Sequence, residues 1–353
     1  TLNSSRVKST DSIQKVGTWY LVILACISLP LYFYFANPLY FLGYYGIVDL
    51  GQEAEYIIQL FQVFAFGALI QTSRNIRTEG KQFKNFYYYF IANNPLLNLC
   101  ICLYLASVMF SGDRGPIIFF GLGYYGCYLF VTKNRLNIIK TIGIVAIGAF
   151  IINLLGYVRA TNLTISYENR IMQSLGENDR FETTSFLPQT QELARSIRTL
   201  HRAVDYFPGT HEFLYGRFQF QQLLSIVPFG NSISNLLFSD NSEKYKGSAQ
   251  FITWLAYGDH PPSGEGSSVI ADFYIDFGVT AVVIGMFLVG LVMRYGELVL
   301  YNKSMPSLFS HCLMIGYLSD TIYLSRSTFL IEFKVIIWIY IVLRLNQLFF
   351  SKK

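Results

Sequence analysis

Residues 269–293 read VIADFYIDFGVTAVVIGMFLVGLVM. A membrane-crossing helix needs about 20 mostly apolar residues, and this run exceeds that length with only Asp272 and Asp276 as interruptions. It has no polar stripe at helical spacing that would suit the surface of a soluble domain. Upstream lies Ser263-Gly264-Glu265-Gly266-Ser267-Ser268, polar and glycine-rich, so the run meets water at its N-terminal end. Seven further segments read the same way: Thr18–Leu42, Ala54–Gln71, Phe86–Phe110, Pro116–Thr132, Ile138–Tyr157, Pro306–Ser325 and Thr328–Phe350. The first is longer than a signal-peptide core and lacks a small-residue cleavage site, so it too reads as a span. The expected fold is an all-α polytopic membrane protein with at least eight transmembrane helices.

Composition supports that reading. Of 353 residues, 52% are hydrophobic, 17% aromatic and 14% charged. An average soluble domain is about 25% charged, so this chain has too little charge to cover a water-facing surface. Disorder and coiled coil are excluded for the same reason, since both need many polar residues. The net charge of +5 says little about a partner. All five cysteines, Cys26, Cys100, Cys102, Cys127 and Cys312, fall within apolar runs, and Cys100-x-Cys102 is too tight for a zinc knuckle. They read as packing or lipid-facing residues.

Orientation follows from the short connections. Arg6, Lys8 and Lys15 precede the first span; Asp49, Glu53 and Glu55 mark the next turn; Arg74, Arg77, Lys81 and Lys84 mark the one after. Ser111–Gly115 is short, Lys133, Arg135 and Lys140 are basic, and Lys352 and Lys353 end the chain. Basic turns alternate with acidic or neutral ones, which places both visible termini in the cytoplasm and the long stretch Val158–Glu265 outside. The expected division is residues 1–157 as an N-terminal membrane bundle, 158–265 as an extracytoplasmic loop and 266–353 as a C-terminal bundle.

The loop carries nine basic residues, seven of them Arg, against eleven acids. Arg presents a rigid fork suited to phosphate or carboxylate. Arg195, Arg198 and Arg202, spaced by three and four, share one helical face, with Glu192 three residues before Arg195. Surface ion pairs are the plainer explanation of any single loop arginine; the cluster is a better candidate than the rest. Gln189–Tyr206 reads as a helix that follows Pro188 and stops at Phe207-Pro208-Gly209, with Leu193, Ile197, Leu200 and Val204 as its apolar stripe. A second helical piece covers Arg217–Leu224. Segments of this kind are suited to lie on, or dip into, a membrane surface.

Three features join the loop on the outer side. Ser111-Gly112-Asp113-Arg114-Gly115-Pro116 puts Arg114 at a tight turn between two apolar helices, where it either snorkels, pairs with Asp113 or binds an anion. The glycines Gly264 and Gly266 and Ser267 permit close approach of backbone to an anion at a helix start. Arg326 lies at the outer end of the seventh span, near Glu332 and Lys334. Asp272 and Asp276 share a face inside the span and need either a task or neutralisation by Arg114 or Arg326. An outer pocket that unites these groups is the expectation.

The order of spans, SGDRGP turn, basic turn, long outer loop and GEGSSVIADFYIDFG resembles the O-antigen polysaccharide polymerase (Wzy) family. The likeness extends through Gln191-Glu192-Leu193, Phe213-Leu214-Tyr215-Gly216 and Ile226-Val227-Pro228. It implies a GT-C-like membrane glycosyltransferase of the bacterial inner membrane, with the loop in the periplasm and no metal or other cofactor. Its substrates would be two undecaprenyl-diphosphate-linked glycans, with membrane lipid around them, a chain-length regulator as a further partner and no nucleic acid. The growing chain passes to a hydroxyl of a new repeat unit, and undecaprenyl diphosphate leaves. That chemistry needs cations for the leaving diphosphate and a base for the hydroxyl. Arg114, Arg195, Arg198, Arg202 and Arg326, with Gly264, Gly266 and Ser267, are the expected diphosphate binders. Glu192, then His201, then Asp272 are the expected bases. An O-antigen ligase, acting on a lipid A core acceptor, has the same donor chemistry. A lipid-linked sugar or small-solute transporter would instead show paired interrupted spans in two related halves, which this sequence lacks.

Overall fold

The computed structural model describes residues 17–132, 188–261 and 264–350, apart from 43–47, 49, 112, 114, 228–229, 239–242, 303, 321–323 and 331. The expected span Ile138–Tyr157, the basic turn before it, Arg114 and the first part of the long loop lie outside the described residues. Every regular element among the described residues is helical.

The apolar runs fold into helices because the chain must satisfy its own backbone in lipid. They are α1 (Trp19–Phe35), α2 (Gln52–Thr78), α3 (Phe86–Ala92), α4 (Pro95–Ser111) and α5 (Gly115–Thr132). The loop adds α6 (Pro188–Tyr206), α7 (Arg217–Leu224), α8 (Gly230–Leu237) and α9 (Ser248–Tyr257). The C-terminal part holds α10 (Val269–Tyr301), α11 (Leu308–Asp320) and α12 (Glu332–Phe350). Among the described residues four helices are long and apolar enough to cross a membrane: α2, α5, α10 and, from Phe333, α12. The pair α3–α4 makes a fifth if it counts as one span.

Four segments depart from the uninterrupted spans expected of them. In Thr18–Leu42, α1 ends at Phe35 and a separate 3-10 helix covers Pro38–Leu42. Phe86–Phe110 is bent by 112° between α3 and α4. The cause is Asn93-Asn94-Pro95: Pro95 disfavours helix in the residue before it, and the Asn94 side chain accepts from the amides of Leu96 (2.9 Å) and Leu97 (3.3 Å) to start a new helix. Asn93 and Asn98 close the old one by donating to the carbonyls of Tyr89 and Phe90. Within Pro306–Ser325, where residues 321–323 lie outside the described residues, the helix described is the 13-residue α11. At about 20 Å it is shorter than the ~30 Å hydrocarbon core, and it is buried along its length against α5, α10 and α12. The fourth is α10, which breaks at Phe277–Gly278.

α1 lies beside α2, and α2 beside α5 and α12. At its C-terminal end, Arg77 donates to the carbonyls of Phe130 and Asn302, and Arg74 to that of Pro306, so two basic side chains cap the ends of neighbouring elements. At the other end, α6, α7 and α9 pack on the first two turns of α10. Phe207, Phe218, Phe251, Ile252 and Ile275 form a small core there, separate from the main one.

Candidate functional site

The break in α10 frees two carbonyls, and the chain of the loop takes them up. The amides of Leu214 and Tyr215 donate to the carbonyls of Ile275 (3.1 Å) and Asp276 (2.9 Å). The Asp276 carboxylate accepts from the amides of Gln219 (3.0 Å) and Phe218 (3.4 Å), so it caps the N-terminus of α7. Asp272, fully buried one turn earlier, accepts from Gln219 Nε2 (2.6 Å) and Gln222 Nε2 (3.0 Å). The two acids therefore anchor a loop helix. A task, or neutralisation by Arg114 or Arg326, was the expectation. Arg114 lies outside the described residues, and among those described these hydrogen bonds to both carboxylates come from α7, an element that span-by-span hydropathy does not bring to this depth.

With α7 held, Arg217 at its start projects between two rings, 4.0 Å from the Tyr245 centroid and 4.8 Å from that of Phe238. Gln222 Oε1 accepts from the Leu330 amide (3.2 Å), which draws the turn before α12 against α7. A cavity of about 1060 Å³ opens between these parts and the N-terminal half of α2. Arg217, Lys246, Arg326 and Lys334 line it. So do Gln52, Glu55, Gln59 and Gln62, one polar face of α2 at spacings of three and four. Ser248 and Ser267 line it as well, bonded to each other at 3.0 Å. Glu55 is the one carboxylate on its wall among the described residues. Ligand pockets commonly measure about 300–1,000 Å³, so this space suits a large polar ligand. Four cations against one acid suit an anionic group, and the serines and glutamines suit hydroxyls.

The remaining candidates fall in three places. Arg326 and Ser267 line the cavity. Arg198 and Arg202 meet Glu265: Arg198 donates from Nε (3.0 Å) and Nη2 (2.7 Å), and Arg202 Nη2 stands 3.6 Å away. The Tyr257 hydroxyl adds a bond of 2.5 Å. Burial raises the Glu265 carboxyl, but Tyr257, Arg198 and Arg202 outweigh it and hold the net value below the usual 4.5. Gly266, at φ +79°, takes the left-handed conformation that lets the chain turn from Glu265 into α10, and Gly264 is exposed beside it. His201 is exposed on α6. The side chains of Glu192 and Arg195, and the whole of Arg114, lie outside the described residues. Next to the last, Asp113 accepts from the Tyr40 hydroxyl (3.3 Å) and the Gly115 amide (3.0 Å).

Sequence reasoning misses Arg217, Lys246 and Glu55. The first two are lone cations in a charged loop and carry no signal of their own. Glu55 does carry one: a Gln52/Glu55/Gln59/Gln62 stripe has no reason to sit in a lipid-facing helix unless it faces a polar space.

Several apolar helices, four of them long enough to cross a bilayer, mark an integral membrane protein with a cation-lined cavity at one end. A family model described as O-antigen polysaccharide polymerase Wzy matches residues 2–353, and the chain belongs to that family. No curated protein and no solved structure matches it.

Proposed function

We propose that the chain polymerises lipid-diphosphate-linked oligosaccharide repeat units, and that the cavity at the N-terminal end of α2 is where it does so. The observation that carries this is the cavity lining: Arg217, Lys246, Arg326 and Lys334 around a space of about 1060 Å³, with Glu55 among them. The donor is the growing glycan on undecaprenyl diphosphate and the acceptor is a hydroxyl of a new repeat unit. The bond from the anomeric carbon to phosphate oxygen breaks as the bond to the acceptor oxygen forms. Negative charge develops on the departing diphosphate, where preorganised cations lower the barrier most. Glu55, as the carboxylate on the wall, receives the acceptor proton. Arg198 and Arg202 fit a supporting role, holding Glu265 so that the Gly264–Ser268 segment stays beside the cavity. The sequence candidates Arg114, Glu192 and Arg195 belong to the same outer turn and loop in this reading.

The cavity lies at the end of α2 opposite Arg74 and Arg77, which supports a periplasmic site, cytoplasmic termini and residence in the bacterial inner membrane. In the same reading residues 1–157 and 266–353 supply eight or more spans and 158–265 the outer loop. The test is transfer by the purified full chain in liposomes, with a synthetic polyprenyl-diphosphate-linked repeat unit as both donor and acceptor. Ladder formation with release of polyprenyl diphosphate is expected from wild type and at a strongly reduced rate from Arg217→Ala. Ladders of wild-type strength from both Arg217→Ala and Glu55→Gln would exclude the cavity as the site.

A further inference from the structure

We infer that the hairpin of α7 and α8 is a re-entrant element seated inside one leaflet of the bilayer, with its apolar edge against lipid acyl chains and its polar edge forming the lipid-side wall of the cavity. The sequence from Phe218 to Ser239 contains no charged residue, although the loop on either side is rich in them. It folds as two helices of eight residues each. Such a helix is about 12 Å long, close to half of the ~30 Å hydrocarbon core.

Depth is fixed by contacts with two helices that pass the test for crossing a membrane. The Trp338 Nε1, well inside the apolar run Phe333–Phe350, donates to the Ile226 carbonyl near the hairpin's tip at 3.1 Å. The base of α7 is held by Asp276, two turns inside α10. The tip therefore lies alongside membrane-spanning helices, a position open to a loop only if its backbone is satisfied. On either side of residues 228–229, which lie outside the described residues, the amides of Ile226, Val227 and Gly230 donate to the carbonyls of Leu223, Leu224 and Val227 at 3.2, 3.0 and 3.0 Å. Gly230 also lets α8 pass against the Leu224 carbonyl, which a Cβ would strike.

The two edges differ as a lipid-embedded wall requires. Arg217, Gln221, Ser225, Ser234 and Asn235 turn to the cavity. Phe220, Leu223, Val227, Ile233, Leu236 and Leu237 turn outward, and Leu236 is 86% exposed. Lipid is favoured over a second protein surface because this edge continues the exposed face of a spanning helix. Tyr215 packs edge-on against Phe277 at 6.3 Å, and Phe277, Val279 and Val283 carry the exposed apolar belt down α10. A membrane-facing helix needs no partner to cover such a belt.

The test uses the wild-type full chain in liposomes doped with a phospholipid carrying a diazirine near the end of its acyl chain. After irradiation, trypsin releases Phe218–Lys244 and Ala203–Arg217 as separate peptides. Phe218–Lys244 is expected to carry several-fold more lipid adduct than Ala203–Arg217, and adducts are expected at Leu223, Leu236 or Leu237. Equal, background labelling of both peptides would overturn the proposal, whether water or another protein covers the edge. A nitroxide at Leu236→Cys in a cysteine-free chain gives an independent reading. Oxygen should reach it better than a water-soluble nickel chelate, and the reverse order, or exclusion of both, would also overturn the proposal. Neither readout depends on polymerase activity, so it stands or falls apart from the proposed reaction.

Discussion

Arg217 and Arg198 are both loop arginines, yet their surroundings assign them different work. Arg217 is held by two aromatic rings on the cavity wall, while Arg198 is bidentate on a buried carboxylate. Charge-assisted bonds to a substrate contribute about 1.5–3 kcal/mol, so Arg217→Ala is expected to lower kcat/KM for chain extension by roughly 10- to 100-fold. Arg198→Ala is expected to lower the melting temperature in detergent first, with a smaller effect on turnover. Glu55→Gln keeps shape and polarity and removes the base, so kcat should fall by about 10²–10⁴ with KM little changed. An intact kcat in Glu55→Gln would remove it from the reaction. Glu265 adds a pH dependence. Its folded value is depressed, so its stabilising contribution is present above the ordinary 4.5 and is lost as pH falls through the lower folded value. The melting temperature of wild type should fall over that acid window, and Glu265→Gln, already destabilised at neutral pH, should show a shallower fall.

At the scale of elements, the break in α10 is what ties loop to membrane bundle. Gly278 has φ +68° and ψ −152°, a region essentially restricted to glycine, and a Cβ there would come within 2.9 Å of the Phe213 ring. Gly278→Ala should cost about 1–3 kcal/mol and loosen α7 from Asp276, read as faster hydrogen exchange in Leu214–Leu224 with α2 unaffected. Hydropathy reports Val269–Met293 as one run because a single glycine barely changes its mean, so this break was not legible; the helix Arg217–Leu224 was, but not its docking on the break. The bend at Asn93-Asn94-Pro95 was legible in its residues, since proline after two capping asparagines marks a helix start, but a span-length window averages over it. For α6 the helix itself was readable, but which face it buries was not. Ile197 and Val204 of the expected stripe are exposed, while Thr199 and Ala203 are buried, because Glu265, far away in sequence, draws the Arg198–Arg202 face inward. Membrane class and family were readable because composition and run length survive such rearrangements. The cavity was only partly so, since Arg326 and Ser267 carry motif context and Arg217 and Lys246 do not.

Across the whole molecule, charge and cavity sit at opposite ends of α2, a helix about 40 Å long by its 27 residues. Gln52 and Glu55 face the cavity at one end; Arg74 and Arg77 bind carbonyls of Pro306 and Asn302 at the other, next to the exposed turn at Gly80 and Lys81. Translocation retains Lys- and Arg-rich short connections on the cytoplasmic side, so the Gly80 end is expected inside and the cavity outside. With each reporter inserted in turn at each site, a fluorescent protein should fluoresce at Gly80 and not at Asp259, and alkaline phosphatase should be active at Asp259 and not at Gly80. Gly80 and Asp259 are suited to the insertions because both are exposed. The two reporters must agree, because an even number of crossings between the sites would put both on one side. Fluorescence at both sites would require an added or lost crossing between Gly80 and Asp259, a stretch that includes the expected span Ile138–Tyr157. Phosphatase activity at Gly80 with fluorescence at Asp259 would invert the protein and put the cavity in the cytoplasm, against the proposed periplasmic site.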